Sequence, residues 1–159
     1  MKITIISVGK IKEAFFRDAV AEYQKRLSAF CKTEITEVAD EKTPDGASEL
    51  QIQAILRKEG ERILSKLDPR AVKIALAIHG TGYDSVALSR HLEELMISGR
   101  SHIQFVIGGS LGLDPAVLQA CDEQLSFSQL TFPHQLMRVI LCEQLYRAFK
   151  ISKGEPYHK

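Results

Sequence analysis

The order of segments predicts an α/β protein built on an open, mostly parallel sheet with helices on both faces. Three observations carry this reading. Short β-branched runs alternate with longer stretches whose apolar residues recur at helical spacing. Two of the short runs, residues 72–78 (Val-Lys-Ile-Ala-Leu-Ala-Ile) and 103–107 (Ile-Gln-Phe-Val-Ile), are nearly continuous in apolar side chains, as strands covered on both faces require. Glycines follow each at once: Gly80 and Gly82 after the first, Gly108-Gly109-Ser110-Leu111-Gly112 after the second.

The elements follow in order. Residues 3–8 form a short Ile- and Val-rich strand stopped by Gly9. Phe15, Ala19, Tyr23 and Leu27 then sit four apart, on one face of a helix. Residues 33–38 alternate weakly and read as an edge-like strand. Pro44, Asp45 and Gly46 mark a turn. Ser48 with Gln51 makes a capping box for a helix carrying Ile52, Ile55, Leu56, Ile63 and Leu67, closed before Pro69, with a charged and solvated outer face. After the 72–78 strand, broken by its glycines, Asp84 or Ser85 caps a helix with Leu88, Leu92 and Leu95, ending at Gly99. Asp114-Pro115 supplies an N-cap with proline at the first helical position. Residues 124–127 form one more strand. A last long helix runs from near Pro133 to Gly154, with Leu136, Ile140, Leu141, Leu145, Ala148 and Phe149 on a broad apolar face.

At 159 residues, with no repeat, low-complexity tract or dividing linker, the chain reads as one domain, 1–159; the 40–47 loop is a hinge or a plain loop. A hydrophobic share of 45% fills a core. Lys and Arg number 21 against 20 Asp and Glu, which excludes a generally basic nucleic-acid coat protein and an acidic disordered tail but permits a local patch. Three cysteines without a Cys-x-x-Cys pair exclude a disulfide scaffold and a thiol-rich zinc site. The apolar start is too short for a signal peptide, and no run approaches the ~20 residues of a membrane span. A cytoplasmic protein with reduced thiols is expected.

Ligands of open α/β sheets gather at the carboxyl ends of strands. Three ends are informative: the turn after Leu76-Ala77-Ile78, the glycine loop 108–112, and residues 127–134 (Phe-Ser-Gln-Leu-Thr-Phe-Pro-His). Glycines there let backbone approach a ligand closely. Gly108-Gly109-x-x-Gly112 is neither the Gly-x-Gly-x-x-Gly fingerprint nor a phosphate loop, so a tight turn and a ligand site both stay open. The 127–134 loop, with two aromatics and a Pro-His step, is unusual for a mere connection. The five histidines lack metal spacing, Ser110 lacks a nucleophile elbow, no carboxylate pair suits acid–base work, and Cys142 reads as core. From Arg138 to Lys159 five cations face two carboxylates. A helix C-terminus favours cations through its dipole, so this is either that or a phosphate-binding patch with Tyr157 free to stack on a base.

Several motifs carry a resemblance that covers essentially the whole chain. They are Phe105-Val106-Ile107-Gly108-Gly109-Ser110-Leu111-Gly112, Leu125-Ser126-Phe127-Ser128, Thr131-Phe132-Pro133-His134-Gln135-Leu136-Met137-Arg138, Glu143-Gln144-Leu145-Tyr146-Arg147-Ala148-Phe149 and Pro156-Tyr157-His158-Lys159. With them the chain resembles the SPOUT methyltransferases that modify a pseudouridine of large-subunit ribosomal RNA. The resemblance implies a C-terminal deep trefoil knot, which sequence rules alone would argue against. It implies S-adenosyl-L-methionine as cofactor, N3 of a pseudouridine in 23S rRNA as methyl acceptor, and a homodimer with the cofactor near the subunit interface. Carried over by motif, the cofactor contacts are Leu76, Gly108, Phe127, Ser128, Gln129, Leu130, Thr131 and Phe132. They fall on the same three strand ends.

Methyl transfer from a sulfonium needs no metal, but a neutral imide nitrogen is a poor nucleophile. Either a base takes the N3 proton or cations stabilise the developing anion. Arg147, Tyr157 and His158 are assigned this task, and His134 and Arg138 the positioning of the loop or the RNA. The expected substrate is the assembled ribosome, and no membrane or metal partner is expected. Without the resemblance, a small nucleotide-binding oxidoreductase and a non-catalytic ribosome-binding module compete.

Overall fold

The computed structural model describes residues 1–159. Ten elements follow one another: β1 (Lys2–Val8), α1 (Ala14–Leu27), β2 (Lys32–Val38), α2 (Glu49–Leu64), β3 (Val72–Gly82), α3 (Ser85–Ile97), β4 (His102–Ile107), α4 (Pro115–Ala120), β5 (Glu123–Ser126) and α5 (His134–Ser152). The five strands form one sheet in the order β2-β1-β4-β3-β5, and every pairing is parallel.

The alternation of side chains in each strand divides the core. Ile3 and Ile5 of β1, Val72 and Ile74 of β3, and Ile103, Phe105 and Ile107 of β4 meet α1, α3 and α5 on one face. Ile6 and Val8 of β1 and Val106 of β4 meet α2 and α4 on the other. Steps toward the β2 edge, from β1 to β2 and from β3 to β4, carry their helices on the first face. Steps toward the β5 edge, from β2 to β3 and from β4 to β5, carry theirs on the second. All four crossovers therefore share one hand, the regularity that parallel sheets obey.

Helix starts follow local chemistry. Ser48 accepts from the Gln51 N–H at 3.2 Å while the Gln51 side chain accepts from the Ser48 N–H at 2.8 Å, closing the capping box. Asp84, not Ser85, caps α3, accepting from Ala87 N–H at 2.7 Å. Asp114 caps α4 with Pro115 at its first position. No helix is long and apolar enough to cross a membrane.

Four expectations change. Phe15 is 63% exposed and lies edge-on to Phe16; the buried face of α1 is instead carried by Val20 and Leu27, with Tyr23 packed beside them. A strict four-residue spacing drifts around a helix of 3.6 residues per turn, so Phe15 and Leu27 do not share a narrow stripe. The third strand does not stop at Gly80. Its pairing with β5 breaks after Leu76 and resumes at Thr81 and Gly82. Gly80 makes this tolerable, because a Cβ there would lie 2.6 Å from the Gln124 backbone. β5 closes at Ser126, which releases Phe127 into the following loop. The outer face of α2 is not wholly solvated, for Glu59 is buried beneath the glycine loop.

The largest departure is Arg138, expected among surface cations and found 0% exposed. Its guanidinium donates to Glu37 at 2.8 Å and to the Val8 and Gly9 carbonyls at 2.8 and 2.7 Å. It thus ties the N-terminal part of α5 to the ends of β1 and β2. Phosphate contact is closed to it; of the two tasks assigned, holding the loop that precedes α5 is the one its surroundings allow.

Candidate functional site

The carboxyl ends of β4 and β5, with the middle of the longer β3 between them, open into a cavity of 660 Å³. The glycine turn expected after Ile78 is instead a continuation of β3 and lies off this cavity. The cavity wall comes from three segments: Leu76 to Ile78 inside β3, where the pairing with β5 breaks, and the loops Ile107 to Gly112 and Phe127 to His134 without Gln129, with Leu125 and Met137 behind. Ten of the eighteen lining residues are hydrophobic, so the cavity is mainly apolar with a few polar groups, the usual make-up of a small-molecule site.

Each loop is shaped by its sequence. Gly112 has φ +87°, and its N–H donates to the Gly109 carbonyl at 3.1 Å, closing the 108–112 loop on itself. A Cβ at Gly108 would run into the Gly112 backbone, so only glycine permits this closure. Gly109 rests on Val8 and Glu59, whose carboxyl oxygen would lie 3.2 Å from a Cβ there. Glu59 also accepts from the Glu41 N–H at 2.9 Å, and burial pushes its carboxyl above the usual range. In the loop after β5 the Ser128 hydroxyl accepts from Leu130 N–H at 3.0 Å, and the Ser126 hydroxyl donates to the Ser128 carbonyl at 3.2 Å.

Seven of the eight expected cofactor contacts lie on this wall: Leu76, Gly108, Phe127, Ser128, Leu130, Thr131 and Phe132. Gln129 is exposed and lies off it. Leu130 is 70% exposed at the wall, an apolar side chain left in water beside an apolar cavity. His134 also lines it, and burial, with the Arg138 and Lys12 charges nearby, holds its imidazole below the ordinary histidine range.

Arg147, Tyr157 and His158 form a second cluster, on the C-terminal half of α5 and the segment after it. The Tyr157 ring lies edge-on to Tyr146 at 4.8 Å and under the Arg147 guanidinium at 4.8 Å, and its hydroxyl donates to Glu143 at 3.1 Å. Burial, then the hydrogen bonds at its hydroxyl, push the phenol well above its usual range, so it stays protonated at neutral pH. Arg147 Nη1 reaches His158 Nδ1 at 3.4 Å. The segment is therefore docked on its own helix, and Tyr157 is already engaged rather than free to stack on a base. From the sequence, Glu143 counts among the carboxylates of this segment with no role assigned, although its i,i+4 spacing to Arg147 is the available signal. Cys121 and Cys142 are pushed up by burial to about 11 and about 12, so both are thiols, not nucleophilic thiolates, near neutrality.

Fold and cavity together define an α/β protein with a mainly apolar cavity of small-molecule size at one end of a parallel sheet. A family model described as "Predicted SPOUT methyltransferase" matches residues 1–158. The chain belongs to the SPOUT methyltransferase family. It is 59% identical over 159 residues to a protein of Bifidobacterium adolescentis named Ribosomal RNA large subunit methyltransferase H, covering 100% of both chains. Proteins of the same name from Bacillus pumilus and Streptococcus sanguinis are 55% and 54% identical, again over 100% of each chain. Among solved structures, a probable methylase family protein from Haemophilus influenzae Rd KW20 aligns with a TM-score of 0.53 at 15% identity, covering 99% of this chain and 70% of that one; this likeness concerns the fold alone.

Proposed function

We propose that the chain is a single-domain, S-adenosyl-L-methionine-dependent methyltransferase acting on N3 of a pseudouridine in large-subunit ribosomal RNA, in the cytoplasm and on the assembled ribosome. The observation that carries this reading is the convergence of the irregular middle of β3 and the loops after β4 and β5 on one cavity, at residues that the family resemblance assigns to the cofactor. The threaded trefoil arrangement of the C-terminal half belongs to the same proposal.

The cavity suits such a cofactor. Its 660 Å³ lies within the ~300–1,000 Å³ of small-molecule sites. The side-chain-free backbone at Gly108 and Gly109 leaves main-chain polar groups accessible, and the leucines, Phe127, Phe132 and Met137 supply apolar cover. Leu76, Gly108 and residues 127–132 would hold it. Bound there, it supplies an electrophilic methyl carbon already activated by its sulfonium.

The chain's own residues supply the rest. Arg147, Tyr157 and His158 serve the acceptor ring, stabilising charge as it develops across N3 and the flanking carbonyls. His134 helps to shape the cavity rim, and Arg138 acts only through α5. Arg147 lies thirteen positions beyond His134 on α5, about 20 Å along the helix. That spacing supports a homodimer in which the Arg147 cluster of one copy serves the cavity of the other.

Ribosomes from cells lacking the modification are the test substrate. Incubation with the protein and labelled cofactor is expected to label one nucleoside, identified as N3-methylpseudouridine by mass spectrometry. Labelling of another nucleoside, or tight nicotinamide binding in place of labelling, refutes the proposal.

A further inference from the structure

The cluster at the C-terminal end of α5 is organised by a residue to which the methylation reading gives no task. Glu143 Oε1 accepts from Arg147 Nε at 3.1 Å, from Arg147 Nη2 at 2.5 Å and from the Tyr157 hydroxyl at 3.1 Å. Its other oxygen accepts from Gln144 Nε2 at 2.8 Å. Gln144 in turn accepts from the Ser85 hydroxyl at 2.8 Å, which anchors the group to the start of α3. The Glu143 side chain is only 17% exposed and Arg147 25%, so this is a half-buried, charge-assisted network rather than a solvated ion pair.

The network has a chemical consequence. With Nε and Nη2 held by Glu143, the remaining edge of Arg147 is Nη1, and Nη1 faces His158 Nδ1 at 3.4 Å. Arginine has donors and no acceptor. His158 must therefore accept at Nδ1, and a neutral imidazole then carries its proton on Nε2. His158 is exposed, so the edge it turns outward is an N–H donor, not a basic lone pair.

We propose that Glu143 is a positioning residue for methyl transfer: by clamping Arg147 and Tyr157 it fixes His158 as a hydrogen-bond donor to the acceptor base. This rests on the proposed function above and deepens it. The cluster then stabilises negative charge on the imide carbonyls and does not abstract the N3 proton. The N3–H proton passes to solvent water. N3 keeps the electron pair and forms the bond to the methyl carbon, while the pair of the broken carbon–sulfur bond stays on sulfur.

Two measurements test this on the full chain. In ¹⁵N-histidine-labelled wild-type protein, with the signal assigned by its loss in H158Q, His158 is expected as the Nε2–H tautomer at a pH where it is neutral. An Nδ1–H tautomer overturns the proposal without any variant. E143Q keeps the shape but removes the charge. It is expected to lower kcat at least tenfold, to leave cofactor affinity within about twofold, and to shift His158 toward a mixture of tautomers. A merely structural contact would not move the tautomer. Wild-type kcat in E143Q overturns the proposal. If R147A is inactive while E143Q is fully active, only the role of Glu143 falls; if R147A is also fully active, the assignment of the cluster to methyl transfer falls with it. Should E143Q fail to fold, E143D retains the carboxylate one methylene short and is expected to keep the tautomer with a smaller loss of kcat; loss of the tautomer there counts against the proposal.

Discussion

Replacing Arg138 by methionine removes a fully buried guanidinium but keeps a long side chain in its place. Three hydrogen bonds vanish, to the Glu37 carboxylate and to the carbonyls of Val8 and Gly9. Glu37 is one-third exposed and regains water easily. The carbonyls do not, and an unsatisfied buried acceptor costs about 1–3 kcal/mol. Two such groups cost about 2–6 kcal/mol, part of which the apolar methionine recovers; the net loss expected is about 3–5 kcal/mol, the range for breaking a buried ion pair from one side. In a chain of this size each kcal/mol shifts the midpoint by about 2–4 °C, so Tm is expected to fall by about 6–20 °C. Differential scanning calorimetry measures it. The double variant E37Q/R138M is expected to lose less than the sum of the single variants, because the two side chains share one bond. If Arg138 were a solvated RNA contact, R138M would leave Tm within about 2 °C of the wild type and weaken only substrate binding. That result refutes the burial argument.

Two further outcomes follow from the cavity. Gly108→Ala places a Cβ against the Gly112 backbone and must open the 108–112 loop. S-adenosyl-L-methionine affinity is expected to fall about tenfold or more, roughly 1.4 kcal/mol, by isothermal titration in a variant with unchanged far-ultraviolet circular dichroism; wild-type affinity would remove this loop from the cofactor site. Glu59 holds its proton more tightly in the folded chain than in the unfolded one, because burial disfavours the carboxylate. The folded state then binds more protons, so stability falls as pH rises from the ordinary carboxyl range through the raised folded value. Glu59→Gln is expected to raise Tm at pH 7–8, with the gain shrinking as pH falls below the ordinary glutamate range; a constant gain at every pH contradicts the burial account.

What could be read in the amino-acid order was what neighbours in the chain decide. The Ser48–Gln51 box, the Asp84 and Asp114 caps and the apolar runs of β1, β3 and β4 are set within a few residues by hydrogen-bond geometry and side-chain periodicity. The loops after β4 and β5 could be singled out because a glycine run and an odd aromatic loop stand directly after those strands, whereas the glycines after Ile78 marked a turn that the fold absorbs into β3. The tertiary structure decided whatever depends on partners far along the chain. Arg138 stands three, four and seven residues before Leu141, Cys142 and Leu145, on the buried stripe of α5, yet its burial is tolerable only because the ends of β1 and β2, about a hundred residues earlier, bring it a carboxylate and two carbonyls. Glu59 is buried because the glycine loop closes over it, and β3 continues past Gly80 because β5 lies against it. A charged side chain carries no local sign of whether the fold will bring it a partner or leave it to water, and the cost of burying it turns on that difference.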